Sequence, residues 1–195
     1  MAIASLLGTA ISFFGGWVER VGMWLLDMLL VVPSFLLIAM IVRTANATTG
    51  WIWLIIGLTA FGWVGYARII RTLTLSLRER DFMLATRVLG LSARRRLFGH
   101  LLPNTIPILV VMATMAVANA ILSESALSYL GLGVVPPTPS WGNMMDAANS
   151  LIDFQRRPWL WMPPGIAIFI TVIAINVLGD GLRDAMDPKM KQRRK

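Results

Sequence analysis

The sequence contains no cysteine and a single histidine, His100. Without thiolates there can be no disulfide and no thiolate metal site, and one imidazole is too few for an ordinary histidine-based zinc site. Charge is scarce as well: Asp, Glu, Lys and Arg make up 14% of the 195 residues, and lysine nowhere follows glycine. That last absence excludes a GxxxxGK[ST] phosphate loop, which needs a lysine beside the backbone amides that cradle the phosphates. Any ATP hydrolysis linked to this sequence must therefore occur on another chain.

What remains is apolar. Hydrophobic residues make up 56% of the chain, more apolar surface than a soluble core of this size could hide, so a bilayer is the expected solvent. A helix needs about 20 predominantly apolar residues to cross the hydrocarbon, because lipid offers no partner to a bare amide. Four segments qualify, approximately 21–42, 51–75, 104–122 and 159–178. A fifth, 2–14, is too short and has no positively charged start of the signal-peptide kind, and Gly15-Gly16 breaks it. It reads as the trailing half of a span whose beginning is missing, so the chain is expected to be N-terminally truncated.

The net charge of +8 would suggest nucleic acid in a soluble protein. Here the basic residues sort by loop instead. Arg20, the eight arginines from Arg68 to Arg96 and the six basic residues from Arg183 to Lys195 fall on one side of the spans, whereas only Arg43, Arg156 and Arg157 fall on the other. Fifteen against three places the 15–20 turn, the 76–103 loop and the 179–195 tail in the cytoplasm, with 44–50 and 123–158 outside. Trp51, Trp53, Trp159 and Trp161 mark the outer interface and Trp17 an inner one. No nucleic-acid partner is expected, since stacking aromatics do not interleave the basic residues.

Within the 76–103 loop, helical spacing puts Phe82, Ala85, Val88 and Leu89 on one face and Arg80 and Arg87 on another. Gly90 suits the left-handed position beyond the end of that helix, and Ser92 can cap a second helix through Ala93, Arg94, Arg95 and Arg96. Pro103 fits the first turn of the next span, where an amide proton is not needed. A rigid helix-turn-helix of docking size is expected. From periodicity alone, a solvated or headgroup-facing charged loop fits as well.

The segment Asp81-Phe82-Met83-Leu84-Ala85-Thr86-Arg87-Val88-Leu89-Gly90, followed by His100-Leu101-Leu102-Pro103-Asn104, resembles the EAA loop of permease subunits of bacterial ABC importers. The likeness is closest to the second permease of the dipeptide, oligopeptide and nickel group. Leu84-Ala85-Thr86 stands where the pattern has Glu-Ala-Ala, so the glutamate and second alanine are absent, while Gly90 and Pro103 keep their places. Upstream, Phe14-Gly15-Gly16-Trp17-Val18-Glu19-Arg20 and Asp27 followed by Pro33 resemble the family's turn and RxxDxxxxxP segment, with Trp24 at the arginine's place. Downstream, the blocks from Ile121 to Gly133, from Pro136 to Gly142 and from Asn176 to Pro188 resemble its outer segment and C-terminal signature, so most of the chain is covered in the right order.

The resemblance implies an all-α polytopic membrane protein, a type I ABC importer transmembrane domain (MetI-like helical bundle) over residues 1–195, with about five spans, the first one partial. It implies a transport subunit in the bacterial cytoplasmic membrane, with no catalytic or metal site and no cofactor of its own. ATP and Mg would sit on partner subunits. The implied partners are a second permease, two ABC ATPase subunits, an extracytoplasmic substrate-binding protein and membrane lipid. The coupling residues would be Asp81, Phe82, Leu84, Ala85, Thr86, Arg87, Leu89, Gly90 and Pro103, and the cargo di- or oligopeptides, with nickel or glutathione as alternatives.

Other residues carry separate expectations. Asp27 is an ionisable group within a span, expensive in lipid, and is read as a partner of a neighbouring helix or of the loop arginines, with a substrate-path role as the alternative. Pro33 is expected to kink the same helix. Asn119 and Asn176 read as buried amides that bond between helices. Residues 124–130 read as a short outer helix containing Glu124, followed by a Gly/Pro run that breaks regular structure before Trp141. Ser92 and His100 make an intramembrane hydrolase a remote alternative only: no GxSxG elbow surrounds the serine, and both lie in a loop away from a protected cleft. A noncatalytic membrane scaffold is the other remote alternative.

Overall fold

The computed structural model describes residues 1–45 and 49–186. Among these the secondary structure is helical, with no strand: α1 Ala2–Phe14, α2 Gly16–Val31, α3 Ser34–Thr44, α4 Gly50–Arg78, α5 Asp81–Val88, α6 Ala93–Arg96, α7 Leu102–Tyr129, α8 Trp141–Asp146, α9 Leu151–Arg156 and α10 Pro158–Met186. A π-helical turn, Leu97–Leu101, joins α6 to α7. Three helical runs are long and apolar enough to cross a membrane, namely α4, Ala93–Tyr129 and α10, and α2 with α3 adds a fourth when the pair counts as one broken span. Helix α1 is apolar but shorter.

Several boundaries differ from the sequence expectation. Segment 21–42 is not one kinked helix but two, because Val32 is extended (φ −72°, ψ 125°) and Pro33 starts a new N-terminus. The span expected at 104–122 begins at Ala93 and ends at Tyr129, so 124–130 is no separate outer helix; residues 124–129 are its last turns. Likewise α10 carries on through Met186, making 179–186 helical; the remainder of the tail, with Asp187 and Pro188, lies outside the described residues. Part of the 44–50 connection, residues 46–48, does too.

The chain divides into two compact units. One comprises Met1–Val32, Trp63–Ala113 and the described part of Gly179–Lys195. In it α1 meets α4 through small residues: Ala4, Gly8 and Ser12, four apart, are all buried, and a Cβ at Gly8 would lie 2.7 Å from the carbonyl oxygen of Ala67. Lipid gives no hydrophobic drive between helices, so close backbone approach through small residues takes its place. Gly15 and Gly16 both adopt positive φ (66° and 59°), joining α1 to α2 without a loop. Leu26, Val64, Ile70 and Met112 extend this core.

The second unit comprises Pro33–Gly62 and Thr114–Leu178. Its core gathers Ile38, Ala39 and Val42 of α3, Leu54 of α4, Leu127 of α7 and Val134 of the turn beyond it. Helix α7 ends in a Schellman arrangement: Gly131 takes φ 68°, its N–H donates to Ser128 O at 3.0 Å, and Leu132 N–H donates to Leu127 O at 2.8 Å. Helices α8 and α9 are short, and each is started by a serine that accepts from the amide three residues on, Ser140 from Asn143 and Ser150 from Asp153.

Candidate functional site

After α4 ends at Arg78 the chain turns and enters α5. Asp81 sits in the first turn and Arg87 in the last, each favourable to the helix dipole. The helix stops where Gly90 takes φ 66°; Gly90 N–H donates to Arg87 O at 3.0 Å and Leu91 N–H to Thr86 O at 3.1 Å. That pattern satisfies two terminal carbonyls and lets the chain reverse. Ser92 then accepts the amide of Arg95 at 3.4 Å and opens α6.

Helix α5 has two faces, and they match the grouping that periodicity suggested except at Phe82. Met83 (0% exposed) and Thr86 are buried, with Thr86 Oγ1 donating to Met83 O at 2.7 Å, and half-buried Phe82 joins Met83 against Leu77, Leu97 and Leu101. Ala85, Val88 and Leu89 share one exposed face, as their spacing suggested, and only Phe82 departs from it toward the buried cluster. Together with Asp81 and Leu84 those three form the outer face, on which Val88 is 88% and Leu89 75% exposed. The physical reason is tertiary: Met83 has the cluster at the end of α4 to fill, and that burial sets the rotation of the helix.

The loop is braced on its other side. Arg96 lies over the ring of Phe13, its Cζ 5.4 Å from the centroid. Arg94 and Arg95 are exposed. Pro103 is exposed and does stand in the first turn of α7, but it does not begin a span, since helix continues back through the π-turn to Ala93. A proline within a helix clashes with the carbonyl four residues earlier, and the wider turn at 97–101 gives that carbonyl room. Asn104 Nδ2 donates to His100 O at 2.6 Å and satisfies one carbonyl there.

Asp27 of α2 pairs with Arg68 of α4, and Glu19 with Arg71; Arg71 Nε donates to Glu19 Oε1 at 2.8 Å. Asn119 and Asn176 are exposed on α7 and α10, contrary to the expectation of buried amides. Glu124 is half-buried near the end of α7; its oxygens accept from Ser128 Oγ at 2.8 Å and Ser125 Oγ at 3.3 Å. Ser128 Oγ in turn accepts the amide of Val134 at 2.9 Å. No group of three or more metal-ligating side chains comes together among the described residues.

Sequence reasoning missed Met83 and Thr86 as the buried side of α5, the Glu19–Arg71 pair, and helices α8 and α9. The last were signalled: Ser140 with Asn143 and Ser150 with Asp153 are capping residues at helical spacing.

A family model described as "Binding-protein-dependent transport system inner membrane component" matches residues 1–192. The chain is 41% identical over 193 residues to the oligopeptide transport system permease protein OppC of Mycobacterium tuberculosis, covering 99% of this chain and 66% of that one. It is 40% identical over 190 residues to the glutathione transport system permease protein GsiD of Escherichia coli, covering 97% of this chain and 61% of that one. The chain thus spans less than two thirds of the length of these relatives. Both are named as permease proteins, and neither name describes an enzyme. With its apolar helices and the match over nearly all its length, the chain belongs to the family of multi-pass inner-membrane components of binding-protein-dependent transport systems.

Proposed function

We propose that this chain is the permease subunit of an ATP-driven importer of di- or oligopeptides, acting with a second permease, two ATPase subunits that carry ATP and Mg, and an extracytoplasmic binding protein. The observation that carries this reading is the outer face of α5. Asp81, Leu84, Ala85, Val88 and Leu89 are exposed on a helix whose other side is locked into the protein by Met83 and whose end is fixed by Gly90. An apolar face presented to the cytoplasm on a rigid base suits a groove on a partner. The excess of basic residues on the loop side supports a cytoplasmic placement for it and for the C-terminus.

The chain's own work is mechanical. Closure of the ATPases would move α5 and the helices it joins, provided that α5 contacts two partner states with different free energy. The position that carries glutamate in the EAA pattern is Leu84, 45% exposed, so contact there rests on shape and apolar area. A glutathione cargo is the second reading, favoured by the likeness to GsiD. Reconstituted complex, assayed for ATPase stimulation by binding protein loaded with tri-alanine or with glutathione, separates the two. Stimulation by neither overturns both the peptide and the glutathione reading.

A further inference from the structure

A hollow of about 340 Å³ in the second unit is lined by Glu124, Pro139, Ser140, Trp141 and Met144. It is a shallow depression, open on one side, that can meet one end group of a ligand without enclosing the whole. Its lining residues include one that carries a carboxylate, one that carries an indole, and two that are apolar. Glu124 has hydroxyl donors from Ser125 and Ser128 but no arginine, lysine or histidine partner among the described residues. A half-buried carboxylate with no counter-charge is short of one interaction, and a cation beside an indole face supplies it twice over.

The segments that carry Glu124 and Trp141 are held in register. Gly142, next to Trp141, packs so closely on the helix beside Glu124 that a Cβ there would lie 2.3 Å from Ser125 O and 2.8 Å from Ser128 Cβ. Ser140 and Asn143 bond reciprocally at 3.0 and 3.1 Å, and Asn143 Nδ2 donates to Thr138 O at 2.7 Å. Gly133 is pressed onto Ser128 in the same way, a Cβ lying 2.6 Å from its Oγ. The hollow therefore exists before any ligand arrives, which lowers the cost of binding.

We infer that this hollow is a subsite for the free α-ammonium group of a translocated peptide, with Glu124 as its counter-charge, Trp141 as its cation–π wall, and Met144 and Pro139 receiving the first side chain. The inference rests on the peptide-import reading above for the source of the ammonium group. It makes the amino terminus a feature sensed by the permease itself.

The chain has no cysteine, so Met144→Cys provides its one thiol, and labelling by a maleimide mass tag in the assembled complex reads occupancy on this chain alone. Tri-alanine should slow labelling about tenfold while N-acetyl-tri-alanine does not, and Glu124→Gln should remove the protection. Trp141→Leu, introduced separately, should also weaken it, which covers the case in which the glutamate variant fails to insert. Equal protection by both peptides, protection that survives in an inserted Glu124→Gln protein, or none at all overturns the subsite. Peptide-stimulated ATPase is measured on the same preparation with the native Met144. Stimulation without protection overturns the subsite and leaves import standing; protection without stimulation supports the ammonium site and counts against import.

Discussion

A single carboxylate oxygen, Glu19 Oε1, holds two nitrogens of Arg71, so the first turn of α2 is clamped to the C-terminal third of α4 by one guanidinium. The pair is largely shielded, with side chains 18% and 30% exposed. Removing one partner of a shielded pair leaves the other charge uncompensated. Glu19→Gln is expected to destabilise the detergent-solubilised protein by about 1–3 kcal/mol, and Glu19→Gln with Arg71→Gln by less. Thermal unfolding of these two and of Arg71→Gln checks this; a double variant as damaged as the sum of the two singles would refute it.

The two faces of α5 should separate stability from coupling. Met83→Ala opens a cavity in the cluster with Leu77, Leu97 and Leu101 and should cost about 2–4 kcal/mol. Leu84→Asp and Val88→Ala touch the exposed side and should leave unfolding within about 0.5 kcal/mol. Leu84→Asp should nonetheless lower substrate-stimulated ATPase in the complex. Unchanged coupling in Leu84→Asp would mean that this face meets no partner.

Gly90 isolates a conformational requirement. Nothing lies within 4 Å of a Cβ built there, so only its φ of 66° resists substitution. Gly90→Asn should be nearly neutral, whereas β-branched Gly90→Val should cost about 1–3 kcal/mol and uncouple the ATPase. Equal behaviour of the two in thermal unfolding would show that the left-handed turn does not matter.

Gly142 presents the opposite case. Its φ is not restrictive, but an alanine methyl would meet Ser125 O at 2.3 Å, so backbone must shift. Gly142→Ala should destabilise by about 1–3 kcal/mol and lose tri-alanine protection. Gly62→Ala, with nothing within 4 Å, should be neutral or slightly stabilising. A stable, fully protected Gly142→Ala protein would overturn the account.

Features set by a few neighbouring residues were readable in the sequence. Gly15-Gly16 had to break a helix, Gly90 had to follow one, and Ser92 had to cap one, because each depends on local dihedrals or a single hydrogen bond. The apolar spans were readable because lipid permits few alternatives. What failed depends on distant contacts. Phe82 leaves the exposed face of α5 because it joins Met83 in a cluster that no local pattern announces. Pro103 looked like a start signal because the preceding π-turn, which lets a helix pass through it, has no sequence signature. The Ala4, Gly8 and Ser12 row was visible, yet its meaning appeared only with Ala67 opposite it.

One contact in the first unit joins distant parts of the chain. The guanidinium of Arg78 donates to the carbonyl of Ser12 at 3.0 Å and stands 3.1 Å from where a Cβ of Gly15 would be, so it supplies the positive group that the C-terminus of α1 otherwise lacks. Those partners are 66 residues apart. Ile11 O is already met locally by the amide of Gly15, whereas Ser12 O takes its side-chain donor from the far end of α4. Arg78 is thus a long-range staple: a chain that stops short of it lacks the donor to Ser12 O, however well α1 forms by itself.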